Sequence, residues 1–366
     1  MAIKDEGKRQ AWVKETAEGR LSVKDLSDRL ETSERQAWRL LKRYRKEGAK
    51  GLLHGLEGKP SNHRHPASFK ETVMDLIRNK YWDFGPTLAA EHLAEEERIV
   101  IHRDTLCRWM RAEKLLTKVR KRSPHRKKRI RKPRFGQMLQ IDGSPHHWFG
   151  LDHPKACLLN LIDDATSKNL CFFDHEETLK GACLLLWQWC QKYGIPQSIY
   201  ADRRNAYISQ DLTESNGLFG QMCRRLDIAT IPAFSPQAKG RVERSNQTHQ
   251  DRLIKKMRLV GVTTIDTANA FLKTYLPNHN RRFSKPPEEQ IDVHRKLPKH
   301  AKLEDFCFFE SERKVQNDWT IKYKNKLLQI QRRNYCPAKS TVHVKETLDG
   351  TLQIFFKNQK LSFNVL

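Results

Sequence analysis

Three acidic residues carry the chemistry that this sequence suggests: Asp142 after Met138-Leu-Gln-Ile141, Asp202 after Ser198-Ile-Tyr-Ala201, and Glu243 in Ser235-Pro-Gln-Ala-Lys-Gly-Arg-Val-Glu243. Reaction at a phosphodiester spreads negative charge over nonbridging oxygens, with attacking and leaving oxygens in line. Two divalent ions about 3.5–4 Å apart stabilise both oxygens and lower the pKa of a bound nucleophile. Mg2+ prefers carboxylate oxygens and keeps several waters, so three carboxylates can suffice. Singly, each acid has a plainer explanation. An Asp before a glycine is commonly a turn residue, and a Glu in a basic helix an ion-pair partner. The joint placement on strand end, strand end and helix points instead to a catalytic site for Mg2+ (or Mn2+), with two ions. Asp163 and Asp164 also follow a strand, in Leu159-Asn-Leu-Ile-Asp-Asp-Ala-Thr-Ser167, and a turn or N-cap role is the preferred reading for them.

The elements that must hold these acids are legible from periodicity. Met138–Asp142, Ala156–Ile162 and Asn169–Phe173 read as three strands of a meander. A helix over about 177–193, a strand Gln197–Ala201, a helix over about 212–226, a strand Ile228–Ala233 and a long helix from about Ala238 follow. Three strands followed by alternating helix and strand describe an α/β sheet of RNase H type over 135–290. Asp142 would then leave its strand beside a flexible turn at Gly143.

Around this core the texture differs. Residues 1–55 are helical in pattern. Val23, Leu26 and Leu30 share a face, Ser33 with Gln36 suggests a capping box, and Trp38, Leu41 and Tyr44 are expected to point inward. Arg35, Arg39, Lys42 and Lys46 recur on another face, as in a helix-turn-helix unit. Residues 56–66 read as a linker. A second helix-turn-helix is expected over 67–113, with Leu106, Trp109 and Met110 inside and Arg103, Arg108 and Arg111 outside. Residues 114–134 hold twelve Lys or Arg and no acid, among them Arg126, Lys127, Lys128 and Arg129. Such a run cannot form a core and suits an extended strap along a phosphate backbone. Short strands over 300–366 suggest a small β-barrel. The fold class is thus multidomain: all-α helix-turn-helix units, a central α/β RNase H-like catalytic domain and a C-terminal β-barrel.

Composition narrows the partners. The 366 residues carry 69 Lys and Arg against 43 Asp and Glu, a formal charge of +26. An excess of that size suggests a polyanion, with double-stranded DNA the leading candidate. No apolar run approaches the ~20 residues of a membrane span, and the N-terminus shows no signal-peptide pattern, so a cytoplasmic protein is expected. The eight cysteines are scattered without a C-x-x-C pair, and His63 and His65 have no cysteine pair beside them, so no structural zinc is expected.

Three segments bear a family resemblance: Gln140-Ile-Asp-Gly-Ser-Pro-His-His-Trp-Phe149, Tyr200-Ala-Asp-Arg-Arg-Asn-Ala-Tyr207 and Ser235-Pro-Gln-Ala-Lys-Gly-Arg-Val-Glu-Arg-Ser-Asn246. They resemble the motifs of bacterial insertion-sequence transposases with an integrase core, of the retroviral-integrase superfamily and nearest the ISNCY type. The likeness continues in Asp251-Arg-Leu253 and Asn278-His-Asn-Arg-Arg-Phe283. It implies that Asp142, Asp202 and Glu243 form a DDE triad of metal ligands. The 41 residues between the second and third acids (243 − 202) somewhat exceed the spacing of many relatives. The resemblance further implies cleavage at element ends, then attack of the exposed 3′-hydroxyls on target DNA. A homodimer or larger assembly on terminal inverted repeats and target, and a nucleoid-associated place in a bacterium, go with it. Lys239, Arg241 and Arg244 flank Glu243 as candidate phosphate contacts, whereas packing is the default for His146, His147 and Trp148. The competing readings are a DNA-binding regulator without catalysis and an RNase H-fold nuclease or junction resolvase.

Overall fold

The computed structural model describes residues 6–53, 64–116, 129–202, 217–233, 240–331 and 336–366. The chain divides into two compact units, Met1–Leu76 and Ile77–Leu366. In the first, α1 (Glu6–Ala17), α2 (Val23–Arg29) and α3 (Glu34–Glu47) enclose a small core of Val13, Leu26, Leu30, Ala37, Leu40, Leu41 and Leu52. Ser22 and Ser33 cap α2 and α3, accepting from the backbone N–H of Asp25 and Gln36. Trp38 does not face inward as expected: it is 54% exposed. A three-residue step falls ~60° short of a full turn, so Trp38, Leu41 and Tyr44 drift around the helix. The buried arc is held by Ala37, Leu40 and Leu41. The next helix, α4 (Ala67–Asn79), runs across the boundary between the units.

The second unit opens with α5 (Pro86–Glu95) and α6 (Arg103–Ala112). Pro86 occupies the first turn of α5 after Gly85, where its missing N–H has no intrahelical partner to lose. Leu88, Leu93, Leu106 and Met110 are buried and Trp109 half-buried.

The central layer is a five-stranded sheet in the order β3-β2-β1-β4-β5. Its strands are β1 (Leu139–His146), β2 (Ala156–Asp163), β3 (Asn169–Asp174), β4 (Ser198–Asp202) and β5 (Ala229–Ala233). The first three form the expected antiparallel meander, and β4 and β5 run parallel to β1. α7 (Leu179–Tyr193) and α8 (Leu218–Arg225) supply the crossovers, and α9 (Gly240–Leu259) and α10 (Ile265–Phe283) follow. Side-chain bonds place α9 on one face, where Ser245 and Asn246 meet Asn160 of β2, and α10 beside the edge strand β3, whose backbone Asn269 and Asn280 bind. α7 covers the other face at Gly181, where an added Cβ would lie 2.6 Å from Leu159. The apolar side chains between these layers form one large core.

β1 is longer than the sequence suggested. It pairs with β2 through His146, so Gly143 is a strand residue opposite Leu159 rather than a turn. Eight paired positions on β2 outweigh the weak strand preference of Gly-Ser-Pro.

At the C-terminus, β6 (Phe308–Lys314), β9 (Thr341–Thr347), β10 (Leu352–Phe356) and β11 (Gln359–Leu361) form one sheet in the order β11-β10-β9-β6. β7 (Thr320–Tyr323), β8 (Lys326–Ile330) and β12 (Phe363–Val365) form another in the order β12-β8-β7. They share a core that includes Ile321, Leu328, Val342, Val344 and Ile354. Among the described residues no ladder joins the two sheets into the closed barrel expected from sequence.

Candidate active site

The ladder between β1 and β4 sets Leu139 against Ile199 and Gln140 against Tyr200, an offset of 60 residues (199 − 139). Asp142 and Asp202 stand at the same offset (202 − 142 = 60), two residues beyond the last ladder pair on each strand. Continued two residues past the ladder, this register assigns the two acids to equivalent positions on neighbouring parallel strands. The strand order also reverses here: from β1 the chain continues to β2 and β3 on one side and reaches β4 and β5 on the other. In open α/β sheets, ligands bind outside the carboxyl ends of strands at such a point. The side chain of Asp202 lies outside the described residues.

Glu243 belongs to α9, which runs alongside β1. Gln140 Oε1 accepts from the Val242 N–H at 3.4 Å, Asn246 Nδ2 donates to Asp142 Oδ2 at 3.1 Å, and Gln250 Nε2 donates to Ser144 Oγ at 3.0 Å. Alternate residues of the strand thus meet every fourth residue of the helix, matching the two periods. At ~100° per residue, Glu243 lies within ~60° of Asn246 and ~20° of Gln250 around the helix. It therefore lies just beyond the edge of the arc that meets β1, on the Gln250 side, and it is exposed.

Asn246 is itself held, since Asn160 Nδ2 donates to its Oδ1 at 2.9 Å. Asn160 also donates to Ser245 Oγ, and Asn169 donates to the same hydroxyl and contacts His249 Nε2 at 2.8 Å. Tyr275 Oη lies 3.2 Å from both His249 Nδ1 and His279 Nδ1. Burial drives both imidazoles toward the neutral form: His249 well below its usual pKa, and His279, with Arg252 and Lys256 adding to the effect, to about 4. Each satisfied bond in such a buried network contributes ~1 kcal/mol, and an orphaned partner costs more.

Other anticipated residues are also placed. Asp163 takes the turn role: its carboxylate accepts from Thr166 N and Oγ1 at 2.7 Å and from Gly136 N at 3.1 Å. Burial raises its pKa against those bonds. Asp164 is fully buried and binds Arg129, Gln140, Arg241 and the Lys132 N–H. Nothing in its sequence neighbourhood signals this, because Arg129 and Arg241 lie 35 and 77 residues away. Arg241 is thereby engaged internally, with 15% of its side chain exposed, whereas Arg244 is exposed. Trp148 packs as expected, fully buried and donating to the Ser144 carbonyl at 2.8 Å. His147 Nδ1 lies 3.2 Å from the His153 carbonyl, and burial lowers the pKa of His146. Arg35, Arg39, Lys42, Lys46, Arg103, Arg108 and Arg111 are exposed. Arg126, Lys127, Lys128 and Lys239 lie outside the described residues.

The residues present suit a hard divalent cation in chemistry: carboxylates on two parallel strands and on a helix bonded to the first of them. Among the described residues, no three His, Cys, Asp or Glu side chains cluster as a metal site.

Comparison with known proteins settles the family. A homeodomain-like domain model matches residues 4–53. The chain is 33% identical over 356 residues to the protein named "Putative transposase y4bF" of Sinorhizobium fredii (strain NBRC 101917 / NGR234), covering 95% of this chain and 78% of the relative. The chain belongs to the transposase family. This transposase is also 29% identical over 367 residues to the transposase for insertion sequence IS1202 of Streptococcus pneumoniae, covering 88% and 77% of the two chains. Among solved structures, it aligns with a simian T-cell lymphotropic virus intasome in complex with a PP2A regulatory subunit. That match has 16% identity and a TM-score of 0.37 over 77% of this chain and 95% of the other. It also aligns with the HTLV-2 integrase catalytic core domain in complex with magnesium, at 20% identity and a TM-score of 0.31 over 38% and 84%. The transposase is a polynucleotidyl transferase by kinship, with a helix-turn-helix domain at its N-terminal end.

Proposed function

We propose that this transposase cuts DNA at the ends of its insertion sequence and joins the resulting 3′-hydroxyls to target DNA. Asp142, Asp202 and Glu243 act as its DDE triad on an RNase H-like core. The observation that carries this reading is the shared 60-residue offset of the β1–β4 ladder and the two aspartates, with α9 bonded along β1 beside Glu243. Bound Mg2+ or Mn2+, as two ions, would supply Lewis-acid stabilisation of the attacking and leaving oxygens and lower the pKa of the nucleophile.

The protein's own part is positioning. β1 and β4 hold two carboxylates on rigid backbone, Asn246 orients that of Asp142, and α9 presents Glu243 from the exposed edge of its strand-facing arc. One site serves both steps, because only the nucleophile changes, from water to a ribose hydroxyl. No covalent protein–DNA intermediate is required. The exposed cations of α3 and α6 and the strap 114–134 bind double-stranded DNA, the terminal inverted repeats and the target. Two ends must be joined together, so the active form is a homodimer or larger assembly on nucleoid DNA. No helix of the described residues is long and apolar enough to cross a membrane.

The decisive experiment is end cleavage and strand transfer with labelled ends in Mg2+, comparing wild type with Glu243→Gln, which keeps shape and removes charge. Expected is a loss of at least about a thousandfold in both steps, roughly 4 kcal/mol, with end binding retained. Full activity in the variant would remove Glu243 from the site.

A further inference from the structure

The first turn of α9 is fastened through a single buried carboxylate outside the triad. Asp164 Oδ1 accepts from Gln140 Nε2 at 2.7 Å, from Arg241 Nη1 at 2.8 Å and from the Arg129 guanidinium. Asp164 Oδ2 accepts from the Lys132 N–H at 2.8 Å. Two of these partners continue into α9. Gln140 uses its other amide atom, Oε1, to accept from the Val242 N–H, one of the first-turn amides that a helix leaves without an internal partner. Arg241 belongs to the same turn, and its Nη2 donates to the Arg129 carbonyl at 3.1 Å. The remaining partners belong to the strap. Arg131 adds bonds to the Asp164 and Ala165 carbonyls and to Ser167 Oγ, at 2.8–3.1 Å.

We propose that Asp164 is a positioning residue for Glu243, seating the end of the cationic strap against the helix turn that carries this acid. The carboxylate stands between the guanidiniums of Arg129 and Arg241, which would otherwise repel each other. Removing it withdraws the carboxylate partner of Arg241 and one of the two partners that fix the Gln140 amide, so one anchor of the first turn of α9 is lost and the other, Gln140 to Val242, is loosened. The far part of α9 keeps its own anchors, Asn246 to Asp142 and Gln250 to Ser144. The disturbance is therefore local, and Glu243 is the acid that it reaches. The strap that leads from the DNA-binding helices thus ends on the bonds that hold the third acid in place.

This inference rests on the DDE reading, and its test separates the two. Amide hydrogen exchange over 240–246 is measured in the metal-free protein, and the Mg2+ concentration for half-maximal end cleavage is measured beside it. Wild type is compared with Asp164→Asn and with Arg129→Gln, the latter changing a side chain that is 37% exposed. Expected for Asp164→Asn are about tenfold faster exchange in that turn and about tenfold higher Mg2+ demand, as befits lost bonds to a charged group. For Arg129→Gln both shift about threefold. Exchange over 250–259 stays as in wild type. Should Asp164→Asn fail to fold, Arg129→Gln decides. Unchanged first-turn exchange and Mg2+ demand overturn the inference, as does faster exchange spread evenly along α9, the mark of general destabilisation. An active Glu243→Gln control would instead overturn the DDE reading beneath it.

Discussion

At the proposed site, the uncharged Asn246 bonds the Asp142 carboxylate, and the buried Asp164 bonds Arg241 two residues before Glu243. The proposed triad acids stood out in the sequence through a strand pattern before each aspartate and a basic helix around Glu243, although β1 runs on to His146 and Asp142 lies inside the strand rather than at its end. Asp164 did not, because its role lies in partners far along the chain, and a neighbouring Asp163 that takes the turn role made the pair look alike. The polar network behind Asn246 ends on two neutral imidazoles, which makes stability sensitive to acid. His279 titrates near 4 in the folded chain and near the ordinary ~6.5 when unfolded. Below pH 6.5 the unfolded chain takes up a proton that the folded chain refuses, so stability is full above 6.5 and falls as the pH drops toward 4. The slope limit is ~1.4 kcal/mol per pH unit for such a group. Urea unfolding at pH 7 and pH 5 should show a loss of about 1–2 kcal/mol from His279, and His279→Gln should flatten that part of the difference. An unaltered pH response in the variant would assign the effect elsewhere.

Among the elements, α9 is held at both ends. Its start is tied to β1 and the strap, while its later turns are bound by α5 and the segment before it. Arg252 pairs with Glu91 at 2.5 and 3.0 Å, Arg282 of α10 joins the same carboxylate at 2.6 Å, and Arg258 binds Asp83 at 2.7 Å. Glu91 and Arg252 are only 13% and 11% exposed. Glu91→Ala should cost about 2–4 kcal/mol, between the values for exposed and buried pairs, read as a lower unfolding midpoint; a change under ~0.5 kcal/mol would mark the cluster as solvent-screened. The strand and helix pattern of the core was legible because apolar runs dominate it. β6 carries only a weak strand pattern, because Phe308-Phe-Glu-Ser-Glu-Arg-Lys314 is mostly polar and lies at a sheet edge, pairing with β9 alone. The extension of β1 through Pro145 was hidden by residues with weak strand preference, and barrel closure is a long-range property that short strands alone do not specify.

For the whole molecule, a formal charge of +26 makes DNA binding strongly salt-dependent. The geometry of α3 separates two contributions. Arg35, Arg39, Lys42 and Lys46 span ~60° of arc, and the exposed Trp38 lies about 40° from Lys42. Lys42→Ala should lower the slope of log affinity against log salt by about 0.9. Trp38→Ala should weaken end binding at every salt concentration and leave that slope unchanged, because an indole contact releases no counterion. Equal slopes for wild type and Lys42→Ala would place Lys42 away from phosphate. The register of β1 has a genetic consequence. Its side chains alternate between α9 and the opposite face, so gaining or losing one codon between Leu139 and Asp142 turns the aspartate away from α9 and out of step with Asp202. The reading frame downstream would survive. On the proposed triad and DNA contacts, such an allele would still encode the DNA-binding helices, occupy element ends without cutting them and silence its intact siblings in the same cell.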